Sequence, residues 1–139
     1  MSVMKTLKHV KTSWVSTSRV KERPWGNERT WAALDGINGK ILYLNAGCRN
    51  SLKYNILKNE CLFVLEGQVE VEYGSEQSLL DPVMHPFKTK QLGFGECLNV
   101  QSGCPYRIKA VTDAQVIEIG TGHSNMTDSV RIEDDYGRS

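Results

Sequence analysis

The sequence lacks several features that mark whole classes of proteins. Within its 139 residues no apolar run is long enough to span a membrane or to act as the hydrophobic part of a secretion signal. Its net charge is only +1, without the clustered excess of Lys and Arg that nucleic acids and anionic membranes call for. These absences predict a cytoplasmic protein with no nucleic-acid partner and no membrane partner, and the length suits one globular domain.

Cysteine occurs four times and never as a CxxC pair, so the zinc-ribbon and thioredoxin motifs are absent. Because no secretion signal precedes the cysteines, reduced thiols are favoured over disulfides. The four positions are Cys48, Cys61, Cys97 and Cys104.

Helical periodicity is also missing, since no segment keeps a 3.6-residue repeat over about ten residues. From Arg29 onward, short apolar or alternating runs are separated by glycine-containing turns. Residues 61–65 and 68–73 flank Glu66-Gly67, a pattern that predicts a β-hairpin. Short strands at near-regular spacing predict an all-β barrel or sandwich. Periodicity alone leaves a jelly roll and an immunoglobulin-type sandwich both open.

The N-terminal part differs in amino-acid composition from the rest of the chain. Residues 1–22 are polar, with only scattered apolar positions, and predict an extended arm that can pair as an edge strand with a partner. The globular domain is then expected to cover residues 23–139.

Two unusual strings bracket that domain. Arg23-Pro24-Trp25-Gly26 stands at its start, and residues 130–138, reading VRIEDDYGR, stand at its end. Together they resemble the mannose-6-phosphate isomerase-like cupins, including the C-terminal domain of the bifunctional isomerase/GDP-mannose pyrophosphorylases. The resemblance implies a cupin jelly-roll barrel, also called a double-stranded β-helix. It also implies a homodimer, because cupins of this size commonly exchange edge strands.

The same resemblance implies a metal site, and this chain replaces most of its ligands. Members of the family usually present a Gln and closely spaced histidines on the first metal-bearing strand. Here the Gln position is Lys53, and the histidine positions are occupied by non-histidine residues. Those residues are Asn55, Ile56 and Leu57.

The remaining family ligands are also altered. The family's Glu is kept as Glu60, but the His that follows it is Cys61. The last His, after a Gly-x-Pro turn, is Tyr106, and Arg107 follows it as in many members. Tyr106 therefore either contributes to a ligand site or fills the space of the missing His. The chain's three histidines lie elsewhere, at His9, His85 and His123.

A metal ion is not favoured by this set of side chains. Zinc requires about three protein donors and one open position. If a divalent ion such as zinc is held after all, Asn55, Glu60 and Cys61 are the candidate ligands, although Cys61 also suits a buried core position. As an alternative to the metal, the ammonium of Lys53 is predicted to lie near Glu60 and to supply the positive charge.

Two functions follow from the resemblance. The first is a degenerate, metal-free member that binds a sugar phosphate or nucleotide sugar through Asn55, Tyr106 and Arg107, or that acts as an interaction module. The second is an active mannose-6-phosphate isomerase-like enzyme with a rebuilt metal site. In an enzyme, Lys53, Glu60 and Arg107 are the predicted catalytic residues.

One segment is longer than a compact cupin hairpin needs. Residues 75–92 look like an insertion and contain His85. Long loops often carry function, so a lid or an interface is one interpretation, and a solvated loop is the other.

Overall fold

The computed structural model describes residues 10–122 and 128–138, which form two antiparallel β-sheets packed face to face. His9 and His123 lie outside the described residues. In chain order the elements are β1 (Arg19–Arg23), β2 (Gly26–Leu34), β3 (Ile37–Leu44), β4 (Leu52–Asn55), β5 (Glu60–Glu66), β6 (Val69–Tyr73), α1 (Glu76–Leu80), β7 (Lys88–Leu92), β8 (Cys97–Val100), β9 (Tyr106–Ala110), β10 (Ala114–Thr121) and β11 (Ser129–Glu133).

The strands are distributed between the sheets in a jelly-roll order. The six-stranded sheet runs β1-β2-β3-β10-β5-β8, and the five-stranded sheet runs β11-β4-β9-β6-β7. Strands that follow one another in sequence, such as β4 and β5 or β9 and β10, lie in opposite sheets. The chain therefore crosses repeatedly between the layers, and the all-β prediction is confirmed.

The predicted β-hairpin of residues 61–65 and 68–73 is wrong. These residues fall in β5 and β6, and β5 pairs with β10 and β8 while β6 pairs with β7 and β9. Gly67, with φ +84°, carries the chain from one sheet to the other, and a Cβ there would come within 2.3 Å of the Asp113 carbonyl oxygen. An arch between sheets and a hairpin within one sheet share the same alternation and the same glycine, so the local pattern could not separate them.

The arm predicted for residues 1–22 ends inside a strand. Arg19–Arg23 form β1, which pairs with the chain's own β2 from Arg19 opposite Thr30 to Arg23 opposite Gly26. The expected boundary between residues 22 and 23 thus falls within β1. Residues 19–22 belong to the six-stranded sheet.

The space between the sheets has an apolar end and a polar end. The apolar end holds most of the buried hydrophobic cluster, in which each Val or Leu side chain stabilises the fold by about 1.5–3 kcal/mol. At the polar end the same strands turn hydrophilic side chains inward. The change occurs from Leu42 and Leu44 to Asn38 and Lys40 on β3, from Leu62 and Val64 to Glu60 on β5, and from Ala114 and Val116 to Glu118 on β10.

Candidate functional site

A cavity of about 730 Å³ occupies the polar end between the two sheets. This volume lies in the range of small-molecule sites, which is about 300–1,000 Å³. Strands of both sheets contribute to its walls, as do β1 and the C-terminal segment. Its inner surface is built largely from side chains that can ionise or hydrogen-bond, including Glu28, Lys40, Lys53, Asn55, Glu60 and Glu118.

Glu60 is fixed by two donors from the opposite sheet. Asn55 Nδ2 donates to Glu60 Oε1 at 2.5 Å, and the Tyr106 hydroxyl donates to the same oxygen at 2.7 Å. Tyr106 is fully buried, and this burial, followed by the charges of Glu60 and Glu118, raises the pKa of its hydroxyl well above the usual value. The phenol therefore remains a donor, and Oε2 of Glu60 carries no protein hydrogen bond among the described residues.

Lys53 enters the cavity from β4 beside this pair. Its Nζ lies 4.7 Å from the centre of the Tyr106 ring, a distance suited to a cation–π contact. Burial lowers the pKa of the Lys53 ammonium, although the charges of Glu118 and Glu60 oppose the shift. No ion pair joins Lys53 to either carboxyl group in the described part of the chain, so the three groups act on one another across the cavity.

Glu118 is a functional candidate that the sequence analysis missed. Burial, and then the negative charge of Glu60, raise the pKa of Glu118 to about 8, against the opposing charges of Lys40 and Lys53. At neutral pH its carboxyl group is therefore mainly protonated. The available signal was the alternation of β10, in which Ala114 and Val116 point into the interior and Glu118 continues the same face.

Four arginines line the cavity, and Arg19 and Arg131 among them are exposed to solvent. The lining includes Arg19 and Arg23 from β1 and Arg131 and Arg138 from the C-terminal segment, which the sequence analysis did not assign to the site. Arg131 lies opposite Lys53 in the β11–β4 pairing. Because β1 and the C-terminal segment are far apart in sequence, only the tertiary fold brings these guanidinium groups together.

Glu28 balances part of this charge. Its Oε1 lies 2.8 Å from Arg23 Nη2 and 3.4 Å from Lys40 Nζ. Burial alone would raise the pKa of Glu28, but the hydrogen bond from Arg23 and the charge of Lys40 lower it. Glu28 is thus an ionised partner that holds two cations at the wall of the cavity.

Three of the predicted site residues line this cavity, and a fourth is buried behind them. Lys53, Asn55 and Glu60 form part of the lining, and the buried Tyr106 donates to Glu60. Ile56 and Leu57, which stand at family histidine positions, are exposed by 57% and 69% and lie outside the lining. The loop that contains them is held in place by the backbone N–H of Leu57, which donates to the Asp128 carboxylate.

Arg107 does not reach the cavity, contrary to its predicted catalytic and ligand-binding roles. It follows Tyr106 on β9 and therefore points to the opposite face of the five-stranded sheet. There its Nη2 donates to the Asn50 carbonyl at 3.1 Å, and its Nη1 donates to Glu133 Oε2 at 3.3 Å. Asp135 lies 3.7 Å away, so the buried guanidinium anchors the C-terminal segment instead.

Cys61 is also separated from Asn55 and Glu60. On β5 the side chains of Glu60 and Leu62 face the interior, which places Cys61 on the outer face of the six-stranded sheet beside Cys97. Burial, and then Cys97, raise the pKa of the Cys61 thiol, which opposes the thiolate form that a metal binds. The three residues cannot act as one ligand set.

The residues of the cavity do not fit the divalent ion that the resemblance implied. Asn55 offers only a weak neutral oxygen, and Oε1 of Glu60 already accepts two hydrogen bonds. The ammonium of Lys53 adds a positive charge where a cation would have to sit. Among the described residues no group of three His, Cys, Asp or Glu side chains is arranged to hold a metal.

The predicted insertion forms a separate feature. It contains α1 and β7, and His85 lies between them at a smaller cleft of about 480 Å³ shared with Tyr73 and Phe87. His85 is exposed, and its backbone N–H donates to the Asp81 carbonyl at 2.9 Å. The lining of this cleft shares no residue with the main cavity.

Comparison with solved structures identifies the fold. No protein-family model and no curated protein sequence matches the chain. KdgF from a Halomonas species matches in structure with a TM-score of 0.64 at 14% identity, over 77% of this chain and 88% of KdgF. Oxalate decarboxylase from Bacillus subtilis matches with a TM-score of 0.68 at 13% identity, over 90% of this chain and 34% of the enzyme.

The capsular polysaccharide assembling protein CapF from Staphylococcus aureus is similar as well. It matches with a TM-score of 0.66 at 13% identity, over 86% of this chain and 33% of CapF. The chain thus spans about a third of the length of CapF and of oxalate decarboxylase. These neighbours are cupins, so the cupin jelly-roll fold is confirmed. The helix in the described residues is too short to cross a membrane.

Proposed function

We propose that the polar end of this cupin fold binds a sugar phosphate without a metal ion. The observation that carries the proposal is the layering of the cavity, with arginines on its solvent side and hydrogen-bonding groups at its floor. Guanidinium groups suit phosphate oxygens because they offer several N–H donors in a fixed plane. Carboxyl, amide and ammonium groups suit the hydroxyls of a sugar.

The floor supplies both donors and acceptors for a polyhydroxylated ligand. Oε2 of Glu60 is an acceptor, the protonated carboxyl of Glu118 is a donor, and the ammonium of Lys53 is a further donor. Tyr106 and Asn55 hold Glu60 in place, so the floor is ordered before a ligand arrives. Preorganisation of this kind reduces the entropy lost on binding.

Lys53 explains why the proposed binding site needs no metal ion. Its ammonium supplies inside the cavity the positive charge that the family resemblance assigns to a divalent ion. The active isomerase with a rebuilt metal site requires Cys61 as a third donor, and Cys61 lies on the outer face. The metal-free binding protein is therefore the function that the geometry supports best.

Calorimetric titration in the presence of a chelator tests the proposal. We expect mannose 6-phosphate to bind, and mannose and inorganic phosphate each to bind at least about tenfold more weakly, because each engages one layer of the cavity. A nucleotide sugar such as GDP-mannose extends the panel to the other predicted ligand class. Binding that occurs only after zinc is added would contradict the proposal.

Two arginines on adjacent strands provide a matched pair of variants. Arg19 lines the cavity from β1, whereas Arg29 on β2 points elsewhere and donates to Ser18 Oγ at 2.9 Å. Arg19→Gln is expected to weaken mannose 6-phosphate about tenfold, and Arg29→Gln to leave its affinity unchanged. Equal losses in both variants would point to a general charge effect instead of a phosphate contact.

We further propose that a second copy of the chain covers the outer face of the six-stranded sheet, in line with the homodimer that the sequence predicts. Large apolar side chains stay about half exposed there, and isologous dimers are built on such patches. They include Trp31 at 48%, Leu34 at 48%, Ile37 at 51% and Ile119 at 47% exposure.

A further inference from the structure

Lys53 has surroundings that binding alone does not require. It projects into a cavity wide enough for a ligand, with the Tyr106 ring from β9 against its Nζ. Glu118 on β10 and Glu60 on β5 face it from the other sheet, and Lys40 on β3 adds a like charge. An amine and two carboxyl groups thus share one water-accessible space.

We propose that Lys53 is a nucleophile that forms a Schiff base with the carbonyl carbon of an aldehyde or ketone bound in this cavity. The inference rests on the proposed function, since the arginines of the solvent side are what would hold a phosphorylated carbonyl compound over the amine. It extends that function from reversible binding to covalent capture of the open-chain form of the ligand.

The groups needed for the reaction are present on the chain. The Lys53 ammonium first releases a proton to water, and the neutral amine then attacks the carbonyl carbon. A C–N bond forms, and transfer of a proton from nitrogen to oxygen gives a carbinolamine. Glu118 then donates its proton to the hydroxyl group, which leaves as water while the C=N bond forms. The products are a protonated imine and the Glu118 carboxylate, so charge and protons balance without a co-reactant.

Lys53 is better suited to this step than the other lysines of the lining. Lys40 is engaged in an ion pair, with its Nζ 3.4 Å from Glu28 Oε1. Lys58 belongs to the loop that carries the exposed Ile56 and Leu57. Burial lowers the pKa of Lys53, which raises the fraction of neutral amine available at neutral pH.

Reductive trapping tests the inference on the full chain. The protein is incubated with glyceraldehyde 3-phosphate and sodium cyanoborohydride, and the modified lysines are located by peptide mass spectrometry. We expect Lys53 to be modified at least about tenfold faster than any other lysine. Lys53→Arg keeps the positive charge and should abolish this adduct, whereas Lys109→Arg, at an exposed lysine of β9 outside the lining, should retain it.

A parallel calorimetric titration with glyceraldehyde 3-phosphate separates the two proposals. Binding of this compound without an adduct at Lys53 overturns the Schiff base and leaves the proposed function standing. Modification spread over surface lysines according to their exposure overturns it too. An adduct that forms at Lys53 equally fast with unphosphorylated glyceraldehyde supports the nucleophile and contradicts the phosphate anchor. Absence of both binding and adduct overturns both proposals.

Discussion

The apolar end and the polar end of the interior are made by the same strands and differ by only a few residues along each of them. On β5, Leu62 and Val64 are 1% exposed within the hydrophobic cluster, while Glu60 on the same face reaches the cavity. Sheet pairing supports both ends equally, because backbone hydrogen bonds do not depend on the side chain. The difference shows how one fold separates stability from chemistry, with apolar burial at one end and ionisable groups held near solvent at the other.

The largest expected effect on stability comes from a substitution at the apolar end of β5. Leu62→Ala removes apolar volume from a fully buried position and should lower the free energy of unfolding by about 2–5 kcal/mol. Mannose 6-phosphate binding should survive in the folded fraction. Urea denaturation and calorimetry measure the two quantities.

Glu60→Gln, two residues away on the same strand, is the matched control. We expect it to abolish most of the binding while costing less stability than Leu62→Ala, since Glu60 borders the cavity and Gln keeps its shape. A larger loss of stability in Glu60→Gln than in Leu62→Ala would show that the polar end stabilises the fold more than the apolar end does. That result would contradict the division of roles between the two ends.

The second prediction concerns pH. The pKa of Glu118 is about 8 in the folded protein and lies near 4.5 when the group is unperturbed, so the folded state holds more protons between these values. Stability should therefore fall as the pH rises from about 5 to 8, with a slope approaching about 1.4 kcal/mol per pH unit. Urea unfolding at several pH values measures the slope. In Glu118→Gln the slope over this window should flatten, and an unchanged slope in the variant would assign the dependence to another group.

A smaller effect is expected from Tyr106→Phe. This change removes the hydroxyl that donates to Glu60 at 2.7 Å while it keeps the buried ring. The loss of one hydrogen bond predicts a decrease of about 0.5–1.5 kcal/mol in the free energy of unfolding, together with weaker ligand binding. Equal stability and affinity in both proteins would mean that Glu60 does not need this donor to be held in place.

The smallest effect on the fold is expected at the outer face. Ile119→Lys changes a side chain that is already 47% exposed, so monomer stability should shift by no more than about 0.5 kcal/mol. The charge should nevertheless dissociate the proposed dimer, as measured by analytical ultracentrifugation. Thr89→Lys on exposed β7 is the control, and dissociation by both variants or by neither would argue against a dimer through the six-stranded sheet.

The sequence predicted the fold better than it predicted the site. Alternating runs and glycine turns identified the strands, but the arch at Gly67 looked like a hairpin because partner choice is not a local property. The same alternation, followed along β5 and β9, would have placed Cys61 and Arg107 on the faces opposite Glu60 and Tyr106.

The arginines that line the cavity could not be predicted from the sequence for a different reason. Arg19 and Arg138 are separated by more than a hundred positions, and each lies in a charged stretch that resembles any solvated surface. Their convergence depends on β1 pairing at one edge of the six-stranded sheet and on Arg107 anchoring the C-terminal segment across the other sheet. No local pattern contains that information.

A crystal structure of the protein grown with mannose 6-phosphate in the presence of a chelator, with anomalous scattering recorded for divalent metals, tests the central claim most directly. The account predicts ligand density in the cavity, with the phosphate among the arginines and the sugar hydroxyls at Glu60 and Lys53, and no anomalous peak. A metal ion coordinated by Glu60 and Glu118, with the Lys53 ammonium displaced, would contradict it.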